Sequence, residues 1–311
     1  MELGQLSKND FQTENKKSGL IIAPFEPIRI NGASYDISPT IIAMSTKLGM
    51  LETVYREKTY PFKYYIYVKA KDTVLAVSRE FISVPNYIAG YVVSRVSKVS
   101  EGFGHVSTSI DPNWKGALLI ALSNPSNKPI KVYVGGSSVE SETSNSLATI
   151  SFHYLNTACD DIARVHAGMR LDLLKKVNYT QRTGVRATLS KILHPNRKRF
   201  TDFFFNYCSN SILDLENWEN IVNDLQGSTT QPECFYCKTY IDGSKKKKIK
   251  FVDFIVSEHF IFRFVHWFQK HGATIYRIIT IIFALLVVCG LLPIEWKDKI
   301  KEFFESVNMF S

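Results

Sequence analysis

The sequence predicts a mainly β protein that continues into a helical region and then a C-terminal transmembrane helix. Residues 20–155 contain short runs rich in Val, Ile, Tyr and Thr, separated by Gly, Pro, Asn and Asp. Beyond residue 156 the composition becomes charged and suits helices, and residues 278–294 carry no charge. Several short strands at this spacing, without alternating helices, indicate a sandwich, jelly roll or barrel rather than repeated βα units.

The β-rich part is assigned to residues 20–157, after an N-terminal segment at residues 1–19 that lacks the long apolar stretch of a secretory signal. Strands are expected within residues 63–70, 74–77, 117–122 and 129–134. Turn signals stand at Asn31-Gly32, Asp111-Pro112, Asn124-Pro125 and Gly135-Gly136. These turns are expected to connect the strands of one domain.

Residues 158–199 are basic and are predicted to contain a helix and a lid-like segment. Residues 200–250 carry no recognisable motif and are assigned as a spacer of unknown role. Within this spacer, Cys234 and Cys237 have the spacing of half a zinc site, but the sequence has no second such pair. Zinc is therefore not expected. The five cysteines, odd in number and scattered, favour a reducing compartment over a disulfide framework.

The C-terminal part predicts a membrane anchor in three pieces. Residues 251–272 place polar side chains at steps of about three or four and leave a wide apolar face, which predicts an amphipathic helix lying in the interface. Residues 275–294 are predicted to form a transmembrane helix, and residues 295–311 a short amphipathic tail. A buried hydrophobic helix of the preceding domain is the alternative.

The distribution of charge predicts how this anchor is oriented. The net charge of +9 is concentrated in residues 164–199 and in the lysine run at residues 245–250. Lysine and arginine before the apolar run favour a single-pass membrane protein with its N-terminal domain in the cytoplasm. Such clusters suit a phosphate-bearing ligand or an anionic leaflet, although a solvated face without a partner explains the lysine run equally well.

Several short motifs follow one another in a fixed order over residues 6–192. They are SGLIIAPF (18–25), NGASYDI (31–37), DTVLAVSRE (72–80), VPNYIAG (84–90), SRVS (94–97), SIDPNWKG (109–116) and YTQRTG (179–184). Each motif is weak alone, but their common order and spacing resemble the dCTP deaminase and dUTPase superfamily, nearest the deaminase branch.

The resemblance implies a distorted jelly roll of the dUTPase-like type, which forms a homotrimer with sites for a deoxypyrimidine nucleotide between subunits. Arg95 and Ser97 stand where the family contacts the triphosphate, and a guanidinium fork with a hydroxyl suits phosphate oxygens. Asp111 is expected beside the sugar 3′-hydroxyl, and in diphosphatases this carboxylate orients the attacking water. Trp114 is expected under the deoxyribose. A strand-surface arginine and a core tryptophan are the structural alternatives.

Further expectations follow from the same resemblance. Asp36 is expected as a structural carboxylate or at the edge of the site. Tyr179, Gln181 and Arg182 resemble the family's lid over the triphosphate, although an unspecific basic linker has the same composition. Mg²⁺ is expected with the triphosphate, and no nucleic acid partner is expected.

The departures from the family pattern decide the functional hypothesis. Ala121 stands where the deaminases keep the glutamate that shuttles protons, and Val96 and Ser100 replace a serine and an arginine of the phosphate motif. Losing a general acid or base costs roughly 100- to 10,000-fold in rate. The first hypothesis is therefore a nucleotide-binding protein without deaminase activity. An active dUTP diphosphatase or dCTP deaminase is the second, and a trimeric scaffold the third.

Overall fold

Three β-sheets share one apolar core in the structure, a computed structural model that describes residues 5–7, 9–10, 19–57, 64–135, 146–160, 170–180, 195–208 and 255–257. In chain order the strands are β1 (Ile21–Ala23), β2 (Ile30–Asn31), β3 (Ser34–Ile37), β4 (Pro39–Ser45), β5 (Met50–Leu51), β6 (Val54–Arg56), β7 (Tyr64–Val68), β8 (Asp72–Ser83), β9 (Ile88–Ser94), β10 (Ser107–Ile110), β11 (Lys115–Asn124), β12 (Ile130–Val134), β13 (Ala148–Tyr154) and β14 (Ile255–Ser257). The mainly β prediction is confirmed for these residues.

Strand β8 organises the first sheet, since β1, β4 and β11 all pair with it in antiparallel register, and β5 extends the sheet beyond β4. Its pairing with β11 runs from Ser83 opposite Lys115 to Asp72 opposite Asn124, with a bulge between Ala117 and Leu119. The second sheet has the order β10-β9-β13-β3-β2, and the third has the order β12-β7-β6-β14. Non-local pairing therefore holds the domain together.

The second sheet brings its strands close enough to require a glycine. Gly90 in β9 lies opposite Phe152 in β13. A Cβ placed on Gly90 would stand 2.7 Å from Cδ1 of Phe152, which no real Cβ contact permits. The fully buried Phe152 ring therefore occupies the space that any other residue would need at position 90.

Two helices that follow the β domain dock on the β4–β5 hairpin. They are α2 (Leu171–Thr180) and α3 (Pro195–Phe203), numbered after the short helix α1 (Val96–Ser100) within the β domain, and a π-helical turn, Phe204–Cys208, follows α3. The α2 residue Asn178 donates from Nδ2 to the Gly49 carbonyl over 2.7 Å. On α3, Arg197 donates from Nε to the Leu51 carbonyl over 2.9 Å, and Thr201 Oγ1 accepts from the Leu51 amide at the same distance.

Charge complementarity strengthens the docking of α3. Arg197 Nη2 lies 2.7 Å from Glu52 Oε1, and both side chains are almost completely buried. Among the residues that the structure describes, neither atom has a hydrogen-bond partner, so direct charge attraction carries this contact. Burial raises the pKa of Glu52 and outweighs the opposing effect of Arg197.

The structure differs from the predicted interfacial helix at residues 251–272 in one place. Ile255–Ser257 form β14, which pairs in parallel with β6. The sequence Ile-Val-Ser suits a strand, and the edge of β6 offers unpaired backbone groups that a strand can satisfy. Within the described residues, no helix is long and apolar enough to cross a membrane. The predicted helix at 275–294, the tail at 295–311 and spacer residues 209–250 lie outside those residues.

Candidate functional site

The turn between β10 and β11 carries Asp111 and Trp114. The Trp114 amide donates to the Asp111 carbonyl over 3.2 Å, and Asn113 between them has a left-handed φ of 63°. Asparagine tolerates this conformation better than most residues, which explains its place in the turn. Asn113 Nδ2 also donates to the Cys159 carbonyl over 3.2 Å, so the chain beyond β13 supports the turn from outside.

Asp111 lies in solvent and is free to meet a ligand. Its side chain is exposed, and within the described part of the chain its Oδ1 has a weak contact with Ser109 Oγ at 3.5 Å. Trp114 is half-buried against the core, and its indole Nε1 donates to the Gly116 carbonyl over 3.2 Å. Neither side chain is enclosed in the interior of the domain, so both fit the expected contact with a sugar.

Arg95 follows β9 and is held by Asp36 of β3. Its Nη1 donates to Asp36 Oδ2 over 2.6 Å, and Asp36 Oδ1 accepts from Thr149 Oγ1 over 2.7 Å. Asp36 is 2% exposed, whereas the arginine side chain keeps 23% of its surface in contact with solvent. The carboxylate therefore fixes the guanidinium from the inner side and leaves its outer side accessible.

Helix α1 continues from Arg95 and carries the rest of the expected phosphate motif. Ser97 is exposed, and Ser100 donates from Oγ to the Ser97 carbonyl over 2.8 Å. Lys98 is only 11% exposed at its side chain, and its Nζ reaches both oxygens of Glu101 at 2.8 and 3.0 Å. The two cations of this segment each have a carboxylate partner.

Within a single chain, Asp111 and Arg95 lie far apart. Strands β9 and β10 are antiparallel, with Ile110 opposite Gly90, and the Ser94 amide donates to the Val106 carbonyl at the far end. Asp111 and Arg95 therefore stand at opposite ends of this pair of strands. At a rise of about 3.4 Å per residue, they are separated by roughly 15–20 Å. This separation is longer than the few bonds that join a deoxyribose to its phosphates can span.

Ala121 lies in β11, toward the Arg95 end of the domain. It pairs with Leu75 of β8, and Ser123, two residues further along, accepts from the Gly104 amide through its carbonyl over 2.8 Å. Because side chains alternate along a strand, Leu119 and Ser123 share the face of Ala121. None of these three neighbours in the sheet carries a carboxylate.

The expected lid is only partly within the described residues. Tyr179 lies on α2 and is 75% exposed, so its ring does not contribute to the core. Gln181 and Arg182 lie outside the described residues, as do Cys234 and Cys237. In the part of the chain that is described, no three His, Cys, Asp or Glu side chains converge as they would around a metal ion.

A buried network of charges was missed at the sequence level. Glu80 is completely buried and accepts from the Ser38 amide and hydroxyl, each over 2.9 Å. Burial raises the pKa of Glu80 against the opposing effects of Arg29 and Arg79. Both arginines also contact Glu26, which accepts from Arg79 Nη1 over 2.7 Å. The sequence signal for this network was the adjacent charged pair Arg79-Glu80 inside a strand that is mostly buried.

Sequence comparisons support the superfamily for the N-terminal domain. Residues 5–137 match a family model described as dCTP deaminase-like. The chain is 27% identical over 124 residues to a dCTP deaminase (dUMP-forming) of Hydrogenobaculum sp. (strain Y04AAS1), which covers 39% of this chain and 70% of that protein. It is also 27% identical over 135 residues to the enzyme of the same name from Aquifex aeolicus (strain VF5), covering 42% of this chain and 75% of that protein.

A solved structure shows a weaker similarity. The 2′-deoxycytidine 5′-triphosphate deaminase from Agrobacterium tumefaciens aligns with a TM-score of 0.37 and 12% identity, covering 50% of this chain. The alignment spans 49% of that structure, about half its length. The match to the family model stops at residue 137, before α2, α3 and β14.

Proposed function

We propose that this protein is a membrane-anchored relative of the dCTP deaminases and dUTPases that binds a deoxypyrimidine nucleotide between the subunits of a homotrimer without deaminating it. One observation carries the proposal. The exposed Asp111 and half-buried Trp114 of the sugar motif are present, whereas Ala121 replaces the glutamate expected from the family pattern. The site thus has the means to bind and lacks a group to transfer the proton.

Binding is supported by how the contact residues are held. The turn that carries Asp111 is closed by a backbone hydrogen bond and braced by Asn113. Arg95 is fixed by a buried carboxylate at 2.6 Å. A turn and a guanidinium that are already ordered lose little conformational entropy when a ligand arrives, which favours affinity.

A site between subunits is supported by the separation of Asp111 from Arg95. Because they stand at opposite ends of β9 and β10 in one chain, a nucleotide that contacts both needs Asp111 from one copy and Arg95 from another. A closed ring of copies with this head-to-tail arrangement repeats the same site at each interface. A homotrimer accords with this arrangement.

The absence of deamination follows from chemistry at position 121. Water addition to C4 of cytosine needs a group that accepts and returns protons, and an alanine methyl cannot do either. The neighbours of Ala121 on its face are Leu119, Leu75 and Ser123, of which none is an acid. We expect Ala121→Glu to be the single change that brings deamination closest to recovery.

A dUTP diphosphatase is the second candidate, because Asp111 is exposed. A carboxylate in this position can orient a water toward the α-phosphorus, and Mg²⁺ bound with the triphosphate would neutralise the developing charge. Pyrophosphate release from dUTP that disappears in Asp111→Asn would support this candidate. Unchanged dUTP after prolonged incubation with Mg²⁺ would exclude it.

Membrane attachment rests on the uncharged run at residues 278–294. Its flanking lysines and arginines favour a single-pass anchor with the nucleotide domain in the cytoplasm. Carbonate extraction of membranes tests this part of the proposal independently of binding. The protein is expected to stay in the pellet, and its release to the supernatant would refute the anchor.

Calorimetric titration of the full chain with dCTP, dUTP and dTTP tests nucleotide binding. We expect binding that is lost in Asp111→Asn and kept in Asp172→Asn, which makes the same change at an exposed position on α2. Absence of heat at millimolar nucleotide would contradict the proposal. Equal effects of the two substitutions would remove Asp111 from the site.

A further inference from the structure

The segment that should hold the outer phosphates is electrically neutral. We call residues 95–101, together with Asp36, the phosphate corner. Its two cations are Arg95 and Lys98, and each is ion-paired, with Asp36 at 2.6 Å and with Glu101 at 2.8 Å. The family pattern has a second arginine where this chain has Ser100, whose hydroxyl is turned back to the Ser97 carbonyl.

These ion pairs differ from casual surface contacts. Asp36 is 2% exposed and receives a second hydrogen bond from Thr149, so two donors hold its carboxyl group in place. Lys98 is 11% exposed and meets both oxygens of Glu101. A phosphate that approaches the corner must compete with carboxylates that are already in place.

Because its cations are already ion-paired, the phosphate corner attracts a highly charged ligand only weakly. The attraction of Arg95 or Lys98 for a phosphate is offset by repulsion from a carboxylate a few ångströms further away. Moving phosphate oxygens out of water carries a cost that only uncompensated charge or good hydrogen bonds repay. The β- and γ-phosphates therefore gain little from this surface, whereas the contacts at Asp111 and Trp114 involve only the sugar.

We infer that the site recognises mainly the deoxynucleoside, and binds a deoxypyrimidine monophosphate as well as the triphosphate. This inference rests on the proposed nucleotide site and specifies the class of its ligand. In this respect the chain would differ from a protein that binds the nucleoside triphosphate alone. Glu101 then sets the preference between monophosphate and triphosphate, because it neutralises Lys98 and is itself 42% exposed.

The test is a pair of calorimetric titrations, with dUMP and with dUTP, on the full chain in buffer containing EDTA. The dissociation constants are expected to agree within about threefold, or to favour dUMP. Binding of dUTP more than about tenfold tighter than dUMP would overturn the inference and leave the proposed function intact. Absence of binding by both ligands would overturn both.

A substitution separates the role of charge from that of shape. Glu101→Gln keeps the size of the side chain and leaves Lys98 uncompensated, so we expect dUTP to bind about three- to tenfold tighter. The affinity for dUMP should not change, because its single phosphate does not reach the corner. Asp172→Asn frees Arg170 in the same way on α2 and is the matched control, with no expected effect on either ligand. Unchanged dUTP affinity in Glu101→Gln would contradict the inference.

Discussion

Replacing Arg197 tests whether α3 is an integral part of the domain. Arg197→Met keeps most of the apolar stem and removes the guanidinium that lies 2.7 Å from Glu52 and donates to the Leu51 carbonyl. Glu52 then remains as a buried carboxylate without its partner. Breaking a buried pair from one side costs about 3–5 kcal/mol, most of it the penalty of the abandoned charge.

The loss should depend on pH in a defined direction. Burial already raises the pKa of Glu52 in the folded protein, and removing Arg197 raises it further. A carboxyl whose pKa is higher in the folded state contributes stability below its unfolded pKa, and this contribution is lost as pH rises toward the folded value. The variant should therefore lose up to about 1.4 kcal/mol per pH unit more than the parent, in the pH window between the raised folded pKa of Glu52 in the parent and its still higher folded pKa in the variant.

Urea unfolding of the full chain at pH 5 and pH 8, followed by tryptophan fluorescence, measures both effects. The double variant Glu52→Leu with Arg197→Met is the control, since replacing both partners by apolar groups is often neutral. We expect it to recover most of the stability and to lose the extra pH dependence. A single-variant loss below about 1 kcal/mol that is equal at both pH values would refute the reasoning.

Three further predictions concern stability. Burial, followed by the charge of Arg197, lowers the pKa of Lys69 to about 8, so stability should fall as pH drops from 10.5 toward 8. Lys69→Met should gain up to about 3 kcal/mol at pH 7 in urea unfolding, and a gain that persists above pH 11 would contradict this explanation. Gly90→Ala should cost about 1–3 kcal/mol because of the Phe152 ring, and an unchanged melting temperature would show that the ring moves away. Asn124→Ala should cost about 2–4 kcal/mol, since Nδ2 donates to three carbonyls at 2.8–3.1 Å, and a loss below about 1 kcal/mol would mean that water replaces them.

Much of the β domain was predictable because its strands have clear signals in the local sequence. The expected run at residues 129–134 corresponds to Ile130–Val134, and the run at 117–122 lies within Lys115–Asn124. Gly32 follows Asn31 and has a φ of 62°, as the turn signal predicted. Alternation and turn chemistry are properties of neighbouring residues, so a single sequence reveals them.

The strand β14 was missed because its cause is distant in sequence. An apolar face at a period of three to four predicted a helix, whereas Ile255–Ser257 instead complete the exposed edge of β6, about 200 residues earlier in the chain. The hydrophobic pattern within one segment cannot reveal which strand elsewhere in the fold has an unpaired edge.

In the candidate site, too, local features could be predicted from the sequence and long-range contacts could not. The motif order pointed to Arg95 and Asp111, but Arg95 follows β9 and its ion-pair partner Asp36 lies on β3, and these two strands are joined through β13. The separation of Arg95 from Asp111 likewise depends on strand register. By contrast, Lys98 and Glu101 are three positions apart at the C-terminal end of α1, and their pairing could have been predicted from the sequence.

Incubating the purified full chain with dCTP, and then identifying the retained and released nucleotides by chromatography with mass detection, tests the central claim most directly. Our account predicts that dCTP stays bound and is recovered unchanged, since Ala121 offers no route for the proton. Formation of dUTP or dUMP beyond the uncatalysed rate, or a protein that retains no nucleotide at all, would contradict it.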